Sequence, residues 1–137
     1  MKVFVEENAY TPTRAYGTDA GLDLRSPDTV YLPARESKVI DTGVHVELPK
    51  GTAGVLISKS GLNVRNGITS TGLIDEGYTG SIKVKLYNNS TIPYKVIRGD
   101  KISQLVIIPV LYEDVEIVDA LAKDTERGEK GFGSTGK

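Results

Sequence analysis

The sequence lacks cysteine and tryptophan altogether, and it contains a single histidine, His45, and two phenylalanines among its 137 residues. Without cysteine, the chain has no disulfide framework, no thiolate zinc site and no thiol nucleophile. A lone histidine argues against a multi-histidine metal site and against a Ser-His-Asp triad. Chemistry built on thiols or on several imidazoles is therefore excluded.

Neither sign of charge dominates, because 17 lysines and arginines oppose 18 aspartates and glutamates, for a formal net charge of -1. A protein that tracks a nucleic-acid backbone needs clustered positive charge, so this balance argues against a polymeric nucleic-acid partner. The chain also lacks an apolar run of about 18 residues and an N-terminal apolar signal segment. We therefore expect a cytoplasmic protein that makes no membrane contact.

What the sequence does contain is a series of short apolar runs separated by turn residues. Residues 81–88 alternate between apolar and polar side chains, which is the pattern of a half-buried strand. Residues 54–58 and 102–110 are apolar enough to lie deep in a sheet packing. Further strand candidates are residues 2–5, 29–32, 94–97 and 115–118. Many short strands with almost no helical pattern predict one all-β domain, a sandwich or a barrel.

The C-terminal segment has a different composition. Residues 124–137 contain four glycines, several charges and one apolar side chain, Phe132. Such a segment buries too little to offset an ordering cost of about 1–2 kcal/mol per residue. We therefore predict a core of residues 1–123 and a flexible arm of residues 124–137. The arm matches G-x-x-x-x-G-K, but a nucleotide-hydrolase phosphate loop needs a strand before it and a helix after it, so we do not expect this match to be one.

Four polar positions in or beside apolar segments are candidates for chemistry. Asp23 sits in a strand-like run, where its carboxylate either makes a local turn or ion pair or faces a cation. Residues 58–61 (SKSG) suit either an anion-binding nest or a helix cap. Asp75 lies three residues before Tyr78 in a glycine-rich hairpin, either as a held general base or as a turn former. Gln104 interrupts an apolar strand and needs partners at both ends of its amide.

Taken together and in this order, these segments resemble the motifs of the homotrimeric dUTPases, the deoxyuridine triphosphate nucleotidohydrolases. The matching segments are residues 20–24 (AGLDL), 59–62 (KSGL), 72–80 (GLIDEGYTG), 99–105 (GDKISQL) and 127–136 (RGEKGFGSTG). The resemblance implies a β jelly roll of the β-clip type. It also implies Mg²⁺-assisted hydrolysis of dUTP to dUMP and pyrophosphate, in a homotrimer whose sites lie at subunit interfaces. Such an enzyme limits uracil incorporation into DNA and supplies dUMP for thymidylate synthesis.

The resemblance also implies a role for individual residues at the nucleoside end of the substrate. Asp75 is expected to be the general base that orients the water attacking the α-phosphorus. Tyr78 is expected to pack against the deoxyribose and to exclude a ribose 2′-hydroxyl. Leu73, Ile74 and the backbone of Lys83 are expected to line the hairpin that reads uracil.

At the phosphate end, the resemblance assigns Lys59, Ser60 and Gly61 to phosphate binding from another subunit. Gln104 is expected to position phosphate or the attacking water, and Asp23 to bind water ligands of the Mg²⁺ ion. The arm is expected to close over the site through Arg127, Phe132, Gly133, Ser134 and Thr135.

The sequence departs from the family pattern at three positions and leaves two other readings open. Lys59 stands where many members have arginine, Thr69 where some have asparagine, and Lys130 where glycine is common. One alternative is a dCTP deaminase of the same fold, for which Glu76 is the nearby acid/base candidate. The other is a dUTPase-like regulatory protein that binds a partner in a nucleotide-dependent way.

Overall fold

The computed structural model describes residues 1–121 together with Thr125 and Gly128. The proposed boundary between residues 123 and 124 lies outside the described residues, as does the rest of the arm, so this division of the chain stays a prediction. Within the described part of the chain, the strands are β1 Lys2–Val5, β2 Gly21–Arg25, β3 Val30–Leu32, β4 Ser37–Asp41, β5 Val44–Glu47, β6 Thr52–Ile57, β7 Ile68–Ile74, β8 Lys83–Asn88, β9 Tyr94–Val96 and β10 Lys101–Pro109. The same residues contain one helix, α1, which spans Ser60–Asn66.

The expected all-β class with very little helix is confirmed. Six strands form the main sheet in the order β2-β10-β6-β7-β8-β4, while β1 pairs with β5 and β3 with β9. Every pairing among them is antiparallel. Strand β7 joins the two halves of the main sheet, because residues 68–70 pair with β8 and residues 71–74 pair with β6.

The core follows from the alternation of side chains along the strands. In β8, Val84 and Leu86 are buried while Lys83, Lys85 and Tyr87 are exposed, which confirms the period-two prediction. Neighbouring strands contribute the rest of a single cluster of buried apolar side chains. Its other members include Leu22, Leu24, Leu32, Ile40, Val44, Val46, Leu48, Leu56, Ile68, Ile74, Ile82, Val96, Ile102 and Leu105.

Helix α1 is a short connection between β6 and β7. It follows Lys59, whose extended backbone begins the helix without a side-chain cap, and it ends at Gly67 in the left-handed region with φ of 67°. Glycine suits that position because it has no Cβ to clash. The helix therefore turns the chain from the end of β6 to the start of β7, which pairs with it.

The segment after β10 contains a strand candidate, residues 115–118, that forms no strand in the single chain. Residues 2–5, 29–32 and 94–97 correspond to β1, β3 and β9, whereas residues 115–118 form no strand. The apolar side chains of this segment are exposed, with Val115 at 91% and Ile117 at 94%. A strand needs a partner strand, and among the described residues this segment pairs with none.

No helix in the described part of the chain has the length and apolar character needed to span a membrane.

Candidate active site

Three predicted site residues meet on three neighbouring strands of the main sheet, and strand register explains why. Asp23 on β2 lies opposite Gln104 on β10, and Gln104 lies opposite Ile57 on β6. Lys59 follows Ile57 by two residues. Together with Lys101, these residues form what we call the Asp23 cluster: Asp23, Lys59, Lys101 and Gln104. They line a cleft of about 400 Å³.

Asp23 is the buried centre of this cluster, with only 3% of its surface exposed. Lys59 Nζ lies 2.5 Å from its Oδ1, and Lys101 Nζ lies 2.6 Å from its Oδ2. Burial raises the pKa of the Asp23 carboxyl, but hydrogen bonds and charge from Lys101 and Lys59 outweigh it, so the net pKa is lowered. The carboxylate is therefore held in its charged form between two cations.

Lys101 is a member of the cluster that sequence reasoning missed. In a regular strand, residues three apart face opposite sides, so Lys101 and Gln104 would not share a face. The register of β10 on β2 shifts between Lys101 and Ser103, and Lys101 lies opposite Arg25. Because Arg25 and Asp23 are two residues apart, this bulge turns Lys101 toward Asp23. The sequence did hold one signal for Lys101: a buried Asp23 carboxylate is costly when unpaired, so it needs a cationic partner.

Gln104 links the cluster to its neighbours on both sides. Its Nε2 donates to the Ser58 carbonyl at 3.2 Å. Its Oε1 lies so close to Gly21 that a Cβ there would be 2.6 Å from it. Gly21 is thus required by the space that the Gln104 side chain occupies, and the amide is oriented by the backbone of the segment that carries Lys59.

A chain of serine hydroxyls secures the end of β6 beneath Lys59. Ser58 Oγ accepts from the Ser70 N–H at 2.9 Å and donates to the Ser70 carbonyl at 3.0 Å. The hydroxyls of Ser70 and Ser103 lie 2.9 Å apart, and Ser103 Oγ donates to the Ile57 carbonyl at 3.1 Å. Of the two interpretations of residues 58–61, the serine helix cap is not found, because Lys59 occupies the cap position and makes no side-chain cap hydrogen bond. Ser60 and Gly61 form the first turn of that helix.

The remaining predicted residues of the described chain lie in and beside a hairpin, residues 75–80, that follows β7. We call it the Asp75 hairpin. Asp75 is exposed, and its carbonyl accepts the Tyr78 N–H at 3.0 Å, which closes the turn. The Tyr78 hydroxyl donates to the Ser81 carbonyl at 3.0 Å. The Tyr78 ring lies over Gly80, where a Cβ would be 2.6 Å from Cζ.

The side chains that flank the Asp75 hairpin face different surroundings. Leu73 is 64% exposed, whereas Ile74 belongs to the core. Ile74 therefore has only its main chain to offer a ligand. Lys83 begins β8 just beyond the hairpin, with an exposed side chain. Leu73 and Asp75 border a cleft of about 440 Å³ whose other walls include Ala53, Ile108 and Tyr112.

Glu76 has a structural role in this hairpin. Its Oε2 accepts the Gly51 N–H at 2.7 Å and the Tyr112 hydroxyl at 2.8 Å. The Gly51 hydrogen bond, followed by that of Tyr112, lowers the pKa of the Glu76 carboxyl. A deaminase acid/base needs a carboxyl whose pKa is raised toward neutrality. The environment of Glu76 shifts the pKa in the opposite direction, which disfavours the deaminase reading.

The Asp23 cluster and the Asp75 hairpin lie at opposite ends of one strand pair. Ile57 of β6 pairs with Thr71, and Gly54 pairs with Ile74. Lys59 therefore follows one end of the β6–β7 pair, and Asp75 follows the other. At about 3.4 Å per residue, the two groups are roughly 20 Å apart along the strand direction. A single chain thus brings together Asp23, Lys59 and Gln104, but not Lys59 and Asp75.

Two of the three departures from the family pattern fall within the described residues. Lys59 is paired to Asp23 as described above. Thr69 Oγ1 accepts from Asn89 Nδ2 at 2.9 Å, a contact between β7 and the turn after β8. The third departure and the predicted residues of the arm lie outside the described residues: Lys130, Arg127, Phe132, Gly133, Ser134 and Thr135.

Comparison with known proteins identifies the family. Residues 7–136 match the family model described as dUTPase. The chain belongs to the dUTPase family. A deoxyuridine 5'-triphosphate nucleotidohydrolase of Clostridium novyi is 45% identical over 142 residues, covering 99% of each chain. One of Crocosphaera subtropica is 43% identical over 135 residues, covering 96% of this chain and 94% of the relative.

Solved dUTPase structures share the fold over nearly the whole chain. The dUTPase of Staphylococcus bacteriophage 80alpha with dUPNHPP has a TM-score of 0.93 at 33% identity, covering 99% of this chain and 98% of the phage chain. A mutant dUTPase from phage phi11 of S. aureus, described with a structural Mg(II) ion, has a TM-score of 0.81 at 33% identity, covering 87% of this chain and 96% of the phage chain. The predicted family and its jelly-roll fold are confirmed.

Proposed function

We propose that this protein is a dUTP diphosphatase that hydrolyses dUTP to dUMP and pyrophosphate. The observation that carries the proposal is the match of residues 7–136 to the dUTPase family, in a chain whose Asp75 and Tyr78 occupy one exposed hairpin. Relatives named deoxyuridine 5'-triphosphate nucleotidohydrolase support it at 43–45% identity. The reaction limits uracil incorporation into DNA and supplies dUMP for thymidylate synthesis.

The Asp75 hairpin supplies the nucleoside side of the reaction. The Asp75 carboxylate accepts a proton from water as the water oxygen bonds to the α-phosphorus, and the bond from that phosphorus to the bridging oxygen breaks to release pyrophosphate. The exposure of Asp75 leaves room for that water. The Tyr78 ring, held over Gly80 by its hydroxyl bond to Ser81, forms a flat wall for the deoxyribose. Uracil is read by the main chain near Leu73, Ile74 and Lys83.

The Asp23 cluster supplies the phosphate side. A bound triphosphate needs positive charge from the protein, because phosphoryl transfer is catalysed mostly by positioning and electrostatic stabilisation. Lys59, with Ser60 and Gly61, turns toward the phosphates when they arrive. Lys101 then continues to neutralise Asp23, whose buried charge would otherwise be unpaired. Gln104 orients phosphate or water, and the arm residues Arg127, Phe132, Gly133, Ser134 and Thr135 close over the substrate.

Mg²⁺ fits this site as an ion carried by the triphosphate. Mg²⁺ keeps several water ligands and is usually bound through one or two carboxylates together with substrate phosphates. Within residues 1–121 and the two described positions beyond them, no group of three or more His, Asp or Glu side chains forms a direct metal site. When Lys59 turns to the phosphates, Lys101 stays on Oδ2 of Asp23, and Oδ1 is then available to accept from a water ligand of the ion. When bound, the ion neutralises charge on the phosphates.

A homotrimer with its sites between subunits accounts for two features of the single chain. First, Lys59 and Asp75 are roughly 20 Å apart along β6 and β7, so one substrate needs the Asp23 cluster of one subunit and the Asp75 hairpin of another. Second, the extended segment after β10 exposes Leu111, Val115, Ile117 and Leu121, which suits burial against a neighbouring copy. The number three comes from the family resemblance.

The activity is tested by measuring pyrophosphate release from dUTP, dCTP, dTTP and UTP with Mg²⁺. We expect release from dUTP alone, with UTP excluded by the Tyr78 wall. Ammonia release from dCTP without pyrophosphate from dUTP would establish the deaminase instead. Light scattering on the same sample is expected to give three times the 14.8 kDa chain mass. A catalytically competent monomer would contradict the shared site.

A further inference from the structure

The chain's one histidine lies beside the Asp75 hairpin and contacts it directly. His45 is on β5, and its Nδ1 lies 2.9 Å from the Thr79 carbonyl oxygen. Its Nε2 lies 3.1 Å from Glu6 Oε1, just after β1. The Phe4 ring packs against the imidazole at 5.3 Å between centroids. The His45 side chain is 24% exposed, so the ring is held in place rather than projecting into solvent.

Both hydrogen-bond partners of His45 are acceptors. A backbone carbonyl donates no hydrogen bond, and an ionised carboxylate donates none either. A neutral imidazole carries one N–H and therefore satisfies only Thr79 or Glu6. The doubly protonated imidazolium donates to both at once. The geometry of this site is thus that of a charged His45.

The contact at Thr79 falls in the middle of the segment that presents Tyr78. Thr79 lies between Tyr78 and Gly80, the residue over which the tyrosine ring packs. Beyond Gly80, the Ser81 hydroxyl donates to Asp41 Oδ1, and the Ser81 carbonyl accepts the Tyr78 hydroxyl. The Tyr78 wall is therefore fixed on one side by Asp41 through Ser81 and on the other by His45 through Thr79.

We propose that His45 is a positioning residue for dUTP binding, which in its protonated form holds the Thr79 carbonyl and thereby the Tyr78 wall. The inference rests on the proposed function, because Tyr78 is assigned there to the deoxyribose. We call this contact of His45 with the Thr79 carbonyl the brace. Tyr78 contacts the sugar, which does not change in the reaction, so the brace stabilises bound substrate and transition state equally. Its loss raises KM and leaves kcat nearly unchanged.

The charged groups around His45 favour its protonated form. The Glu6 hydrogen bond raises the pKa of His45 above its usual value, followed by the Thr79 carbonyl and the charges of Glu6 and Asp41, while desolvation opposes them. Lys2 and Glu47, across the β1–β5 pair, also line the surface beside the ring and form an ion pair with each other at 2.8 Å. The brace is complete below the pKa of His45 and weakens as pH rises through it.

The kinetic test compares wild type, His45→Ala and Glu6→Gln across pH 5.5 to 9. The ratio of the KM of the His45→Ala variant to that of wild type cancels titration of the substrate itself. We expect a ratio of about three to ten at low pH that falls toward one at high pH, with kcat within about twofold. Glu6→Gln keeps an acceptor but removes the charge, so its loss of affinity begins at a lower pH than in wild type.

Glu47→Gln is the matched control, since it removes a charge from the same strand but leaves the His45 contacts in place. It is expected to follow the wild-type profile. A KM ratio for His45→Ala that stays constant with pH would overturn the proposal, as would an effect confined to kcat.

A second readout is independent of catalysis. With one histidine per chain, a single imidazole Hε1 resonance reports the protonation of His45 in a carbon-13-labelled sample. In wild type, we expect the amide resonances of Thr79 and Gly80 to titrate with the same midpoint as the imidazole resonance. In Glu6→Gln that shared midpoint is expected at a lower pH, and in His45→Ala the two amides are expected not to titrate. Amide resonances of Thr79 and Gly80 whose shifts do not follow the protonation of His45 would overturn the proposal. If wild type releases no pyrophosphate from dUTP, the proposed function fails, and this titration alone decides whether the brace exists.

Discussion

The Asp23 cluster and the Asp75 hairpin differ in how the fold holds them. Asp23 is 3% exposed, lies on a strand paired to β10 and is bound by two lysines. Asp75 is exposed and lies in a turn closed by one main-chain hydrogen bond to Tyr78. The first site is built by strand pairing and buried charge, and the second by a few contacts at a sheet end.

This difference indicates where stability and activity are separable. A carboxylate buried between cations is coupled to the folding free energy, because removing it leaves the cations without their partner. A carboxylate in an exposed turn contributes little to folding and is free to meet water and substrate. Substitutions in the two regions should therefore affect different measurements.

The largest effect is expected at Asp75. Asp75→Asn removes the proposed base while preserving the shape of the side chain, so we expect kcat to fall by about 10²- to 10⁴-fold. Binding of the analogue dUpNHpp and the unfolding midpoint are expected to stay near wild type, since the residue is exposed. Steady-state pyrophosphate release and thermal melts check both. Near-normal turnover would refute the assignment of Asp75.

Asp23→Asn is expected to affect folding first. It removes the charge shared by Lys59 and Lys101, and because both lysines are partly exposed we expect a loss of about 2–3 kcal/mol in unfolding free energy. Urea denaturation checks this, with Glu47→Gln as the control for an exposed ion pair, expected within about 0.5 kcal/mol of wild type. Equal stability of the two variants would mean that the cluster does not stabilise the fold.

Gly80→Ala tests the Asp75 hairpin without touching a charge. A Cβ at Gly80 would come within 2.6 Å of the Tyr78 ring, so the ring must move and we expect KM for dUTP to rise about tenfold. Gly77→Ala in the same turn is the matched control, since a Cβ there meets nothing within 4 Å. Similar KM values for both variants would argue against Tyr78 as the sugar wall.

The smallest expected effect is a pH dependence of stability. The pKa of Asp23 is lower in the folded chain than its usual 3.8, so its stabilisation is complete above that value and is lost as pH falls through the lowered one. Wild type should therefore lose its stability advantage over Asp23→Asn at acid pH. Urea titrations at several pH values below about 5 measure the difference. A constant difference would contradict the lowered pKa.

Several features of the fold and the site were predictable from local sequence. The alternation in residues 81–88 is a direct consequence of strand geometry, so β8 and its buried face followed from it. The local sequence also marked Asp23 as a candidate site residue, because a carboxylate in an apolar run must be paired. The match of five short motifs identified the family, and residues 7–136 match its model.

Other features depended on contacts between distant segments. Lys101 reaches Asp23 because of a bulge in β10, which no alternation pattern predicts. The link from Glu76 to Gly51 and Tyr112 joins three loops that are far apart in the sequence. Residues 115–118 have the composition of a strand but find no partner edge within the described chain.

The sequence by itself determined the class of fold, the family and the identity of the residues proposed to act on dUTP, because periodicity and short motifs are local properties. The tertiary structure decided which of those residues meet. It placed Lys59 beside Asp23 and left Asp75 at the far end of β7, since antiparallel pairing sends the ends of β6 and β7 in opposite directions. It also brought His45 to Thr79 across 34 residues of sequence, a contact that depends on how the strands pack.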